Sequence, residues 1–231
     1  DNQNLPRRDE PIGEVTEVGL TWYDYQHNGT ISKQIAIDED GGIHVTWMKG
    51  YDANFVRRRM VYSALEPGAD RWVGEIVADN SQRAGYGHIA LLPEDGRGVV
   101  FCHSQPPPLH ADEYLSTMCV DFAPYIGAFM DTDAPTWPDV FLIWPKGAIS
   151  RNNTAHMLAT ENTDDDIIYQ RVAYWWGQST DRDFQEWEWT TPPISVDTAS
   201  AITTIVSSSR LSDKIVMAWH HNRVGSDLGP W

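Results

Sequence analysis

The chain has 231 residues and a formal net charge of −16, with 33 acidic against 17 basic side chains. That balance excludes a phosphate-rich partner such as nucleic acid, and an anionic membrane surface, because both need Lys and Arg. Hydrophobic residues at 41% allow a packed core, and no apolar run reaches the ~18 residues of a bilayer-spanning helix.

In chain order, residues 1–17 are polar with two prolines and read as an extended lead-in. Residues 18–231 then read as one all-β unit. A first blade, 18–78, carries Gln34–Asp38 as an alternating strand. Asp40-Gly41-Gly42 supplies its turn. Ile43–Lys49, Arg58–Ala64 and Arg71–Val77 follow as strands. A second blade, 79–135, has strands His88–Leu92, Gly98–Ser104, Glu113–Phe122 and a weak one near Ile126–Met130. A third, 136–196, has Asp139–Trp144, Ala155–Thr160, Ile167–Trp176 and Phe184–Trp189. A fourth, 197–231, shows only Ala201–Ser207 and Ile215–His221.

These units repeat. The apolar blocks starting at Ile43, Val99, Ala155 and Ile215 are spaced by 56, 56 and 60 residues. His44 and His156, Arg59 and Arg171, and Tyr62 and Tyr174 each recur 112 residues apart, in the same order. Several antiparallel strands per repeat predict a β-propeller of four-stranded blades, with about three and a half to four blades in this chain. Two strands in the last unit predict a ring that this segment does not close, as part of a larger propeller. The innermost strands are expected to start near Gln34, His88, Asp139 and Ala201. Most of the 11 Trp and 9 Tyr are expected between sheets, with a minority free to stack on a sugar.

Cys102 and Cys119 fall on consecutive strands, where a disulfide and a pair of buried thiols are both open. No cofactor is expected. Calcium is the one metal the composition admits, through Asp38-Glu39-Asp40 and Asp164-Asp165-Asp166, although neither has the spacing of a calcium loop. Asn28-Gly29-Thr30 and Asn152-Asn153-Thr154 match the glycan-acceptor pattern. The aromatic content, scarce cysteine and a first residue that is Asp1 fit a processed, secreted bacterial protein.

The segment Val18-Gly19-Leu20-Thr21-Trp22-Tyr23-Asp24-Tyr25-Gln26-His27-Asn28-Gly29, followed by Ile35–Trp47, resembles the start of secreted β-propeller proteins of environmental bacteria. Those proteins carry sialidase-like repeats and often end in a type IX secretion sorting domain. Arg83–Ala90 is similar to the start of their second blade. The resemblance implies a secreted or cell-surface location. No sorting domain occurs in this sequence, which is expected if a C-terminal part is missing. It contains no intact Asp box (Ser-x-Asp-x-Gly-x-Thr-Trp). Glu39–Gly42 and Asp181-Arg182-Asp183 through Trp187 are degenerate relatives. Arg57, Arg58 and Arg59 are consecutive, so alternate strand faces separate them, and the arginine triad of true sialidases is not carried over.

His44 and His156 occupy equivalent repeat positions and are read as structural. His220 and His221 point to opposite faces. His88 with Tyr86, or His103 with Tyr114, has the residue types of a lyase proton-transfer pair. The loops entering the first two innermost strands hold Tyr23, Asp24, Gln26 and Asn28, then Arg83, Tyr86 and His88. Aromatic faces, amides and single charges at a channel mouth suit a polar, sugar-like ligand. The expected function is a secreted or surface binding or assembly module for a carbohydrate or a partner protein. The alternative is a carbohydrate-active lyase or hydrolase with its site at the central channel.

Overall fold

The computed structural model describes residues 13–26, 33–105, 113–161, 170–199 and 204–220. These form fifteen β-strands and no helix. β1 (Ile35–Ile37), β2 (Ile43–Gly50), β3 (Arg58–Leu65) and β4 (Ile76–Val77) make one antiparallel sheet in chain order. β5 (Arg83–Leu91), β6 (Gly98–Gln105), β7 (Leu115–Asp121) and β8 (Phe129–Asp133) make the second. The third holds β9 (Leu142–Ile149), β10 (Ala155–Glu161), β11 (Gln170–Ser179) and β12 (Trp187–Trp189), and β13 (Ile194–Ala199) pairs with the other half of β11. β14 (Thr204–Ser208) and β15 (Ile215–Trp219) form a two-stranded fourth sheet.

The sheets stand side by side around one axis. β5 lies against both β1 and β9, and β9 against β14, so these four are the innermost strands. The Ile89 amide donates to the Lys33 carbonyl at 2.9 Å, linking the first two sheets there. Among the described residues β1 pairs only with β2, and β14 only with β15, leaving an open arc. The chain is therefore an all-β, partial propeller, as the repeat predicts.

Each sheet buries one face on the next. Met48, Met60, Tyr62, Ile89 and Val100 fill the first junction, and Phe101, Met118, Leu142, Met157 and Trp175 the second. Leu158, Val172 and Val206 fill the third. Gly147 is required at the second junction, because a Cβ there would lie 2.3 Å from Phe101 Cδ1.

The 112-residue recurrence has a physical origin. His44 Nδ1 meets Tyr62 Oη at 2.7 Å, and His156 Nδ1 meets Tyr174 Oη at 2.8 Å. The other ring nitrogen reaches Asp38 at 3.2 Å in the first blade and Ser150 Oγ at 3.1 Å in the third. Each histidine thus ties the turn after an innermost strand to the third strand of its blade. Arg59 and Arg171 are likewise spent on ion pairs with Asp79 and Glu161, at 2.8 Å each.

Two strand boundaries differ from expectation for one reason. β5 starts at Arg83 rather than His88, and β9 runs to Ile149 rather than stopping before Pro145. Glycines and a proline read as breakers, but each is absorbed in a bulge where an aromatic residue takes a left-handed conformation: Tyr86 at φ 50° and Trp144 at φ 55°. In the third blade, Asp181 organises the turn from β11 to β12. Asp181 accepts from the Gln185 and Glu186 amides at 3.0 Å each, and Ser179 Oγ donates to it at 2.8 Å. Both cysteines are buried free thiols; the register sets Cys102 opposite Thr117 and Cys119 opposite Val100, two rungs out of line.

Candidate functional site

The axis of the arc has two distinct ends. The innermost strands finish at the turns Asp38–Gly42, Leu92–Arg97 and Ser150–Thr154, and toward that lower end a cavity of about 540 Å³ opens between the strands. Asp38, Leu92, Lys146 and Val206 are among its lining residues. Asp38 is committed to the protein itself: its carboxylate accepts from the Gly42 amide at 2.7 Å, meets His44 and receives the Tyr125 hydroxyl. Among the described residues no group of three His, Cys, Asp or Glu side chains could hold a metal ion. Asp164-Asp165-Asp166 lies outside the described residues.

At the upper end, where the innermost strands begin, the residues form a tighter cluster. The chain before β1 runs along the edge of β2: the Trp22 amide donates to the Gly50 carbonyl at 3.1 Å, and Thr21 Oγ1 donates to the Met48 carbonyl at 3.0 Å. This places Tyr23 over the start of β3 and β5. Its hydroxyl lies 2.7 Å from that of Tyr86, which the β5 bulge turns out of the regular strand alternation. The Arg58 guanidinium sits under both rings, 5.7 Å from the Tyr23 centroid and 5.3 Å from that of Tyr86. Beneath Tyr86 is the His103 ring at 5.4 Å, and beyond it Tyr114 at 4.8 Å.

Electrostatics reinforce the cluster. Burial, together with the positive charges of Arg58, Lys146 and Arg83, pushes the His103 pKa well below the usual imidazole value, so the ring is neutral. Burial likewise lowers the Lys146 amine to about 8. Burial and the bond to Tyr23 raise the Tyr86 hydroxyl, and Arg58 opposes that shift.

Of the seven residues expected to face a ligand, Tyr23 and Tyr86 come together at this upper end, and Arg83 stands at the start of β5. Asp24 is exposed and lines a separate shallow hollow with Thr46 and Trp47. Gln26 is spent on the backbone: its Nε2 donates to the Met48 carbonyl at 3.0 Å, and its Oε1 accepts from the Met48 amide at 2.7 Å. His88 is buried at the second junction, stacked on Phe101 at 5.2 Å with Nε2 against Gly147. Burial pushes its pKa down to about 3. Asn28 lies outside the described residues. Sequence reasoning passed over Arg58 and Lys146. The signal for Arg58 was present in the strand alternation: Arg57 stacks on Tyr51 at the surface and Arg59 pairs with Asp79, while Arg58 between them turns inward.

No family model and no curated protein matches this sequence. Among solved structures, the chain is similar to the Hadza microbial sialidase Hz136, with a TM-score of 0.55 and 9% identity. The match covers 81% of this chain and 41% of that one, so the chain spans less than half of the sialidase's length. At that identity the likeness concerns the fold, and it agrees with the propeller arrangement of the sheets.

Proposed function

We propose that this propeller arc is a carbohydrate-binding module of an extracellular protein, with its ligand seated at the upper end on Tyr23, Tyr86 and Arg83. The observation that supports this reading is the Tyr23–Tyr86 pair. Two half-buried rings with hydroxyls 2.7 Å apart, backed by a buried guanidinium, offer stacking faces and hydrogen-bonding tips together. Such a mixture suits a sugar, which has apolar faces and a polar rim. Tyr86 also holds a left-handed backbone conformation, of the kind that costs about 1–3 kcal/mol and gathers at functional sites. A glycan array probed with the wild type and with Tyr23→Ala and Tyr86→Ala tests it. Loss of glycan signal in folded variants is expected; equal signal from all three proteins refutes the reading.

A second reading, cleavage of the bound glycan, is favoured by one observation. His103 is neutral, lies between Tyr86 and Tyr114, and neither of its ring nitrogens has a hydrogen-bond partner. Release of reducing ends from an array-positive glycan, abolished by His103→Ala, would favour catalysis over binding alone.

A further inference from the structure

The lower cavity holds a nucleophile that no contact of the fold engages. Lys146 on β9 lines that space of about 540 Å³, together with Ala36, Ile89 and Val206 from the three other innermost strands. Its side chain is 3% exposed, and its Nζ has no hydrogen-bond partner. No ion pair among the described residues includes it. Of the carboxylates on the same cavity, Asp38 is engaged by Gly42, His44 and Tyr125, Asp95 by Arg97, and Glu94 by Asn153, while Glu39 and Asp40 are exposed in the Asp38–Gly42 turn. A lysine normally keeps its charged head in water. Here the amine is desolvated and unpaired, on a space of small-molecule size. The backbone contributes as well. The β9 bulge at Trp144 and Pro145, with Trp144 at φ 55°, comes immediately before Lys146. Bulges re-aim side chains and gather beside active sites.

We propose that Lys146 is an imine-forming amine, and that the lower cavity is the binding site of a small aldehyde that condenses with it. The Nζ lone pair attacks the carbonyl carbon, and the C=O π pair moves onto oxygen. Both nitrogen protons pass to that oxygen, which leaves as one water as the C=N bond forms, with no oxidant or reductant. Only the unprotonated amine can begin this step. Burial lowers the Lys146 pKa to about 8, so at pH 7.5 about a quarter of it is neutral, against about a thousandth of a lysine at the usual 10.5. Condensation also relieves the fold of an unpaired buried charge, because an imine holds a proton less tightly than an amine. His88 lines the same cavity. The Gly147 amide donates to its Nε2 at 2.6 Å, so the ring proton sits on Nδ1, which has no partner and can donate to the carbonyl oxygen. The flexible four-carbon stem of the lysine lets Nζ turn toward an occupant. This site lies at the opposite end of the axis from Tyr23 and Tyr86 and does not depend on the glycan reading.

The chain has four lysines, Lys33, Lys49, Lys146 and Lys214, so one peptide map follows them all. The whole chain is treated at pH 7.5 with glycolaldehyde and cyanoborohydride, which reduces an imine to a stable secondary amine, and the rate of mass gain is read at each lysine. Lys146 is expected to gain mass at least about tenfold faster than the exposed Lys214, since its excess of neutral amine is offset only in part by lower nucleophilicity. An aldehyde-bearing dextran, too large for the cavity, should label Lys214 and spare Lys146. Concentrated urea should abolish the advantage of Lys146, and Lys146→Met should remove the fast phase. Labelling of Lys146 no faster than Lys214 overturns the proposal. So does labelling of Lys146 by the dextran, an advantage that survives urea, or a fast phase that persists in folded Lys146→Met. If that variant fails to fold, the wild-type map with and without urea decides alone. Tyr23→Ala should label at Lys146 as the wild type does while losing glycan signal, so the two readings stand or fall separately.

Discussion

Lys146→Met should stabilise the protein at neutral pH when small anions are absent. The amine is 3% exposed, and its Nζ has no hydrogen-bond partner. Burial lowers its pKa from the usual 10.5 to about 8, which corresponds to about 3 kcal/mol against the folded state. The sign follows from proton linkage. Below pH 8 the lysine is charged in both states, and the folded state bears the whole penalty. Between pH 8 and 10.5 the folded amine loses its proton while the unfolded one keeps it, so stability rises with pH. Above 10.5 both are neutral and the penalty is gone. Methionine has similar length and no charge, so the variant should gain about 2–3 kcal/mol at pH 7, or several degrees in melting temperature. The gain should shrink to nothing by about pH 10.5. Urea denaturation of both proteins from pH 7 to 10.5, in a bulky sulfonate buffer, measures this difference while other titrations cancel. A variant less stable than wild type at pH 7, or a difference that does not change with pH, would refute the reasoning, because either result means that the amine is already compensated inside the protein.

Three further outcomes follow from the packing. Gly147→Ala forces a methyl against Phe101 and should cost about 1–3 kcal/mol, read as a lower urea midpoint with an unchanged slope. Asp181→Ala removes the acceptor of two amides and one hydroxyl in the β11–β12 turn and should cost about 1–2 kcal/mol, with Ser179→Ala costing less; thermal melts rank them. Burial lowers the His156 pKa to about 4, so the folded state resists a proton that the unfolded chain takes up from pH 6.5 downward. That histidine alone should therefore withdraw about 2 kcal/mol by pH 5. His156→Gln should flatten the stability profile between pH 6.5 and 4, and an identical profile would exclude a contribution from that ring.

The architecture was legible in the sequence because each blade is a local unit. Strands paired through short turns leave alternation and turn residues within a window of about 56 residues, and the window repeats. The His44–Tyr62 and His156–Tyr174 contacts were visible as a spacing because both partners lie in one blade, 18 residues apart, and serve one structural purpose. Bulges at Tyr86 and Trp144 were not legible. Glycine and proline there look like strand breakers, and only the pairing with the neighbouring strand shows that the strand continues past them.

What the sequence determined by itself is the all-β class, the repeat and the four-strand unit. Each follows from periodicity over neighbouring residues. The tertiary structure alone decided the candidate site. Tyr23 and Arg58 come from the first blade and Tyr86 and His103 from the second, and the bonded Tyr23 and Tyr86 are 63 residues apart. Nothing in the local pattern links them. They meet because the third strand of the first blade packs against the innermost strand of the second, where side chains distant along the chain become neighbours.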